Sequence, residues 1–130
     1  MPVKRTFADI CADAKTRIRE IEPEAVLERL GQPDRDWVLI DVREHDEFRA
    51  GHMPGARGIG RGVIEYHIAD EVPDTDKEIV LYCRGGNRSA LSADSLRHMG
   101  YTNVLSMRGG WHAWEEKGYP MSLQGEPIKH

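Results

Sequence analysis

Short apolar runs that do not alternate with polar residues constrain this chain more than any other feature. Trp37-Val38-Leu39-Ile40-Asp41-Val42 and Ile79-Val80-Leu81-Tyr82-Cys83 are the clearest, and Val104-Leu105-Ser106-Met107 is a third. A strand with one wet face alternates in character, so a continuous run reads as a strand covered on both faces. Helical patterns separate the runs. Phe7, Ile10, Cys11, Ala14, Ile18 and Ile21 recur at helical spacing over residues 5 to 20, which predicts an amphipathic first helix. A second helix starts at Pro23, presents Ala25, Val26, Leu27 and Leu30, and stops at Gly31. Further on come a helical turn from Asp46 to Ala50, a weaker candidate from Gly62 to Ala69, a helix from about Ser89 to Met99, and one carrying Trp111 and Trp114. Doubly covered strands alternating with helices predict an α/β fold with a mostly parallel sheet. The tail from Met121 is polar and is expected to lie on the surface or fray.

A chain of 130 residues suits one domain and needs neither metal nor disulfide to fold. Its longest apolar runs cannot span a bilayer. Eighteen basic against twenty-two acidic residues give a formal charge of -4, which argues against nucleic acid as a partner. The segment Met1 to Asp9 has no apolar stretch of the secretory kind. Cys11 and Cys83 lie far apart, a usage that suits a reducing cytoplasm and a free thiol. The six histidines form no pair at metal-ligand spacing with each other or with the cysteines, so neither a metal nor a cofactor is expected.

In parallel sheets ligands sit beyond the carboxyl ends of strands, beside helix N-termini. One such junction carries a reactive side chain: Cys83-Arg84-Gly85-Gly86-Asn87-Arg88-Ser89. Gly85 and Gly86 can take positive φ and aim their N–H groups inward, building an anion nest to which the next helix adds its positive end. A helix end contributes up to ~2 kcal/mol, whereas each hydrogen bond to a charged group contributes ~1.5–3 kcal/mol. Two or three loop donors therefore suffice to hold Cys83 as a nucleophilic thiolate without a neighbouring base. A lone strand-end cysteine is usually an inert buried residue. A cysteine, two glycines and two arginines in one short loop point to chemistry instead.

That loop resembles the active-site loop of the rhodanese family of single-domain sulfurtransferases. Leu39-Ile40-Asp41-Val42-Arg43 through Glu47-Phe48 and Gly51-His52-Met53-Pro54-Gly55-Ala56 is similar to the family's upstream motif, and Gly109-Gly110-Trp111 with Trp114 to its downstream motif. The likeness covers about residues 20 to 119 in the family's order. It implies a three-layer α/β/α sandwich around a five-stranded, mostly parallel sheet, with residues 1–20 as an added N-terminal helix, 21–119 as the domain and 120–130 as a polar tail. It also implies a ping-pong reaction. Cys83 takes sulfur from a small anionic donor such as thiosulfate, carries it as a persulfide and yields it to a thiol or protein acceptor. The amides of Arg84, Gly85, Gly86, Asn87 and Arg88 cradle the sulfur, Arg88 anchors the loop or the donor, and Asp41, Arg43 and Ser89 support the site, with Glu47 a candidate partner.

Four residues separate Cys83 from Arg88, where related phosphatases have five for the bulkier phosphate, and Tyr82 precedes the cysteine where many have histidine. Sulfur transfer is therefore preferred over a phosphatase or arsenate reductase of the same fold. A sulfur carrier or partner-binding module with slow small-molecule turnover remains the alternative. Trp111 and Trp114 read as core more than pocket wall, Arg57, Arg61 and Arg108 mostly as solvated surface, His52 as a turn residue, and Cys11 as a small core hydrophobe more than a resolving thiol. Oligomeric state, and what the first helix packs on, are left open.

Overall fold

The strands pair in a way that explains their composition. In the computed structural model, which describes residues 4–32, 34 and 36–129, β1 (Arg19–Ile21), β2 (Trp37–Asp41), β3 (Arg57–Gly58), β4 (Glu78–Tyr82) and β5 (Val104–Met107) form one sheet. Its order is β1-β5-β4-β2-β3 and every pairing is parallel. The helices are α1 (Phe7–Lys15), α2 (Pro23–Leu30), α3 (His45–Ala50), α4 (Ile64–Glu71), α5 (Asn87–His98) and α6 (Gly110–Glu116), with a 3-10 turn at Arg61–Val63. Successive side chains leave a strand on opposite faces. Val38, Ile40, Ile79 and Leu81 enter one core with Ile64 and Ile68 of α4 and Ala93 and Leu96 of α5. Leu39, Val80, Tyr82, Leu105 and Met107 enter the other with Val26 of α2 and Trp111 and Trp114 of α6. Both faces are dry, so apolar residues run on without a break. The result is a three-layer α/β/α sandwich.

The first helix departs from its predicted length. Thr6 and Asp9 cap α1 reciprocally, Thr6 Oγ1 accepting from Asp9 N–H at 3.1 Å and Asp9 Oδ2 from Thr6 N–H at 2.9 Å. The helix ends at Lys15, and Arg19–Ile21 instead pairs with Leu105–Met107 as the sheet's edge. Ile18 and Ile21 pack in different cores, one on each side of the sheet. Three residues are too few for a period-2 signal, and pairing across some 85 positions leaves no local trace. Strand β3, two residues long, escaped the sequence reading for the same reason.

The tail lies mostly at the surface, as expected, but it is tied down at several points. Residues 52 and 122 form an antiparallel bridge, Ile128 N–H donates to Gly58 O at 2.7 Å, and Trp114 Nε1 donates to Pro120 O at 2.6 Å. Pro127 is buried, so the last residues are pinned, not frayed. Residues 1–3, which open the segment read against a secretory leader, lie outside the described residues. Among those described, no helix is long and apolar enough to cross a membrane.

Candidate active site

Strand β4 delivers Cys83 to the carboxyl edge of the sheet, and the next residues turn at once into α5. The turn is made by Gly86, the helix N-cap, at φ 99°. A side chain there meets the steric penalty of the left-handed region, so glycine is favoured. In this conformation the Gly86 N–H donates to Cys83 Sγ at 3.1 Å. Gly85 is not at positive φ, and of the two glycines only Gly86 uses the freedom the sequence offered. Ser89, one turn into α5, is fully buried with its Oγ 3.5 Å from Sγ and 2.8 Å from Ser106 Oγ on β5. The sulfur thus has a backbone donor on one side and a hydroxyl pair beneath it.

The loop's carbonyls are held from outside. Trp111 N–H donates to Cys83 O at 2.7 Å and His112 N–H to Arg84 O at 2.9 Å. These donors are first-turn amides of α6, which have no partner in their own helix. The carbonyls of Cys83 and Arg84 are thus drawn toward α6, while the Gly86 amide is the loop N–H that reaches Sγ. Gly110 makes the approach possible, because a Cβ there would lie 2.3 Å from Cys83 O. The sequence marked Gly109-Gly110 only as a motif. Its task depends on β5 lying beside β4, which local pattern does not reveal.

Asp41 and Arg43 form a buried ion pair at 2.8 Å, 0% and 4% exposed. Arg43 also donates to Gly51 O at 2.7 Å, and its guanidinium lies 4.8 Å from the Trp111 ring centroid. Through Trp111 the pair braces α6. Losing one partner of such a pair costs ~3–5 kcal/mol. Glu47 pairs instead with Arg88, at 2.9 and 3.3 Å. This bond holds the Glu47 carboxyl below the ordinary glutamate value and raises Arg88. His52 is more than a turn residue: it is buried, stacks on Phe48 with centroids 3.7 Å apart, and places Nδ1 2.8 Å from Phe48 O. Arg57 reaches Glu71, and Arg108 reaches Glu20 and Glu22, all at the surface.

Cys83 is 1% exposed yet lines a cleft of about 490 Å³ with Phe7, Arg84, Gly85, Asn87, Arg88 and His112. Phe7 and His112 were not site candidates in the sequence. The helix carrying Phe7, α1, packs on α5, where Lys15 Nζ donates to Asn87 Oδ1 at 3.1 Å and the Cys11 thiol faces Asn87 O at 4.0 Å. Burial pushes the Cys11 thiol up from its ordinary value. Both cysteines are free, and among the described residues no cluster of three His, Cys, Asp or Glu could hold a metal.

Comparison with known proteins agrees with this architecture. Residues 22–117 match the rhodanese-like domain, a span that includes the Cys83 loop and excludes α1 and β1. A sulfurtransferase of Allochromatium vinosum is 35% identical over 104 residues, covering 80% of this chain and 94% of that one. The polysulfide-sulfur transferase of Wolinella succinogenes, solved as a homodimer, superposes with a TM-score of 0.75 at 29% identity over 89% of this chain and 86% of its own. A Rhodopseudomonas palustris protein of unknown function, described as a possible tyrosine phosphatase, superposes with a TM-score of 0.84 at 29% identity over 94% and 98%. Sulfur transfer is the chemistry of relatives that align along nearly their whole length. With the parallel sheet, the glycine-built loop and the matched span in agreement, the chain belongs to the rhodanese-like domain family.

Proposed function

We propose that this protein is a sulfurtransferase that moves sulfane sulfur from thiosulfate or a persulfide donor to a thiophilic acceptor through a persulfide on Cys83. The Cys83 thiolate attacks the donor's outer sulfur. A new S–S bond forms, the donor's S–S bond breaks, and its electron pair leaves on sulfite when the donor is thiosulfate or on a thiolate when it is a persulfide. An acceptor nucleophile, a thiol or protein in the cell, then attacks the terminal sulfur and the Cys83 thiolate leaves. Arg84, Gly85, Gly86, Asn87 and Arg88 form the cradle in this reading, with Asp41, Arg43 and Ser89 in support. The observation that supports it most is the Gly86 amide at 3.1 Å from Sγ, in a loop whose carbonyls are tied outward. Such a donor stabilises negative charge on sulfur before attack and after it. Two free cysteines suit a reducing cytoplasm as its setting.

Intact-mass spectrometry after thiosulfate treatment tests this: one added sulfur atom is expected, absent in Cys83→Ser. A label only on Cys11, or hydrolysis of a phosphate ester in place of sulfur loading, overturns it. The phosphatase reading raised by the Rhodopseudomonas neighbour has less support, because the loop is one residue short for phosphate and Arg88 is engaged by Glu47. A sulfur carrier is separated from an enzyme by rate, loading from a protein donor yet turning over slowly with thiosulfate and cyanide.

A further inference from the structure

The cleft over Cys83 is larger than an inorganic donor needs. Its volume of about 490 Å³ falls in the ~300–1,000 Å³ range of sites for organic ligands, whereas a molecule the size of water claims only ~30 Å³. One wall is the ring of Phe7, 51% exposed, from a helix outside the span matched to the family. The charges are uneven too. Arg88 is neutralised by Glu47, and His112 Nε2 sits 3.2 Å from Glu116. Arg84 makes no ion pair among the described residues and is the uncompensated cation at the mouth.

We propose that Phe7 and Arg84 make this cleft select an organic sulfane-sulfur donor, one bearing an apolar group and a single negative charge, over thiosulfate. The proposal rests on the Cys83 persulfide reading. With a thiosulfonate, the Cys83 thiolate attacks the terminal sulfur, the donor's S–S bond breaks, and the electron pair leaves on the sulfinate. No external oxidant or reductant enters. The apolar group lies on the Phe7 ring while Arg84 faces the departing sulfinate.

The test compares benzenethiosulfonate with methanethiosulfonate, which differ only in the apolar group, by kcat/KM with cyanide as acceptor and by sulfur loading of the full chain. Wild type is expected to prefer the benzene compound. Phe7→Ala should lower that preference about tenfold, the scale of one lost aromatic contact, and Phe7→Trp should keep it. A ratio is insensitive to the fraction of active protein, so partial misfolding does not imitate the effect. Arg84→Gln should slow both thiosulfonates about tenfold, with recovery in Arg84→Lys. If both donors load Cys83 and the ratio in Phe7→Ala stays within about twofold of wild type, the selectivity proposal falls while the persulfide reading stands. If neither donor nor thiosulfate loads Cys83, both fall.

Discussion

Two glycine loops lie side by side at the carboxyl edge of the sheet, after β4 and after β5, and they share a geometry. Each enters a helix through a left-handed glycine N-cap, Gly86 at φ 99° and Gly109 at φ 76°. The first loop holds a sulfur and turns an amide toward it. The second holds no reactive group and gives its helix amides to the carbonyls of the first. Steric tolerance runs opposite to chemical prominence. A Cβ at Gly86 would meet nothing nearer than 3.4 Å and at Gly85 nothing within 4 Å, whereas at Gly110 it would strike Cys83 O at 2.3 Å. The supporting loop is therefore the stricter of the two. The position of the Cys83 loop is set by its neighbour as much as by its own residues.

That contrast is open to direct attack. Gly110→Ala should be the most damaging of the glycine changes. Backbone must move by a sizeable fraction of an ångström, and misplacement of about 1 Å costs ~100-fold in rate, so sulfur loading should fall by about that factor. Gly86→Ala should cost ~1–2 kcal/mol of stability in denaturant melts, the penalty of an L residue in the left-handed region. A Gly86 variant that loads more slowly than the Gly110 variant would reverse the ranking of the two loops. The Arg88–Glu47 pair tethers the first loop to α3, and it gives an acid-sensitive term. The folded Glu47 carboxyl titrates below the ordinary ~4.3, so its contribution is complete above that value and fades as pH falls through the lower folded value. Because both side chains are nearly a third exposed, less than ~1 kcal/mol is expected. Glu47→Gln should flatten that acid limb of stability against pH, and an unchanged limb would remove the tether. Gly85→Ala should be smallest, within ~0.5 kcal/mol of wild type in the same melts.

The three apolar runs determined three of the five strands, and they did so because a strand dry on both faces must be apolar at every position. The order Cys83-Arg84-Gly85-Gly86-Asn87-Arg88-Ser89 likewise determined where a strand-end cysteine and a tight strand-to-helix turn would fall, since turn chemistry is local. Short strands and partners were not legible. Arg19–Ile21 looked helical because Ile18 and Ile21 fit a helical spacing, and only the open edge of β5 made it a strand. Glu47 was linked to the Asp41–Arg43 pair, and a salt bridge between α3 and the first turn of α5, 41 residues apart in sequence, gave it to Arg88 instead. The packing of α1 on α5 and the placement of Phe7 at the cleft follow from contacts some 80 residues apart in sequence. Periodicity and turn propensity are properties of neighbours along the chain. Which side chain closes a cleft, and which glycine lets two loops touch, is decided only when distant strands lie side by side.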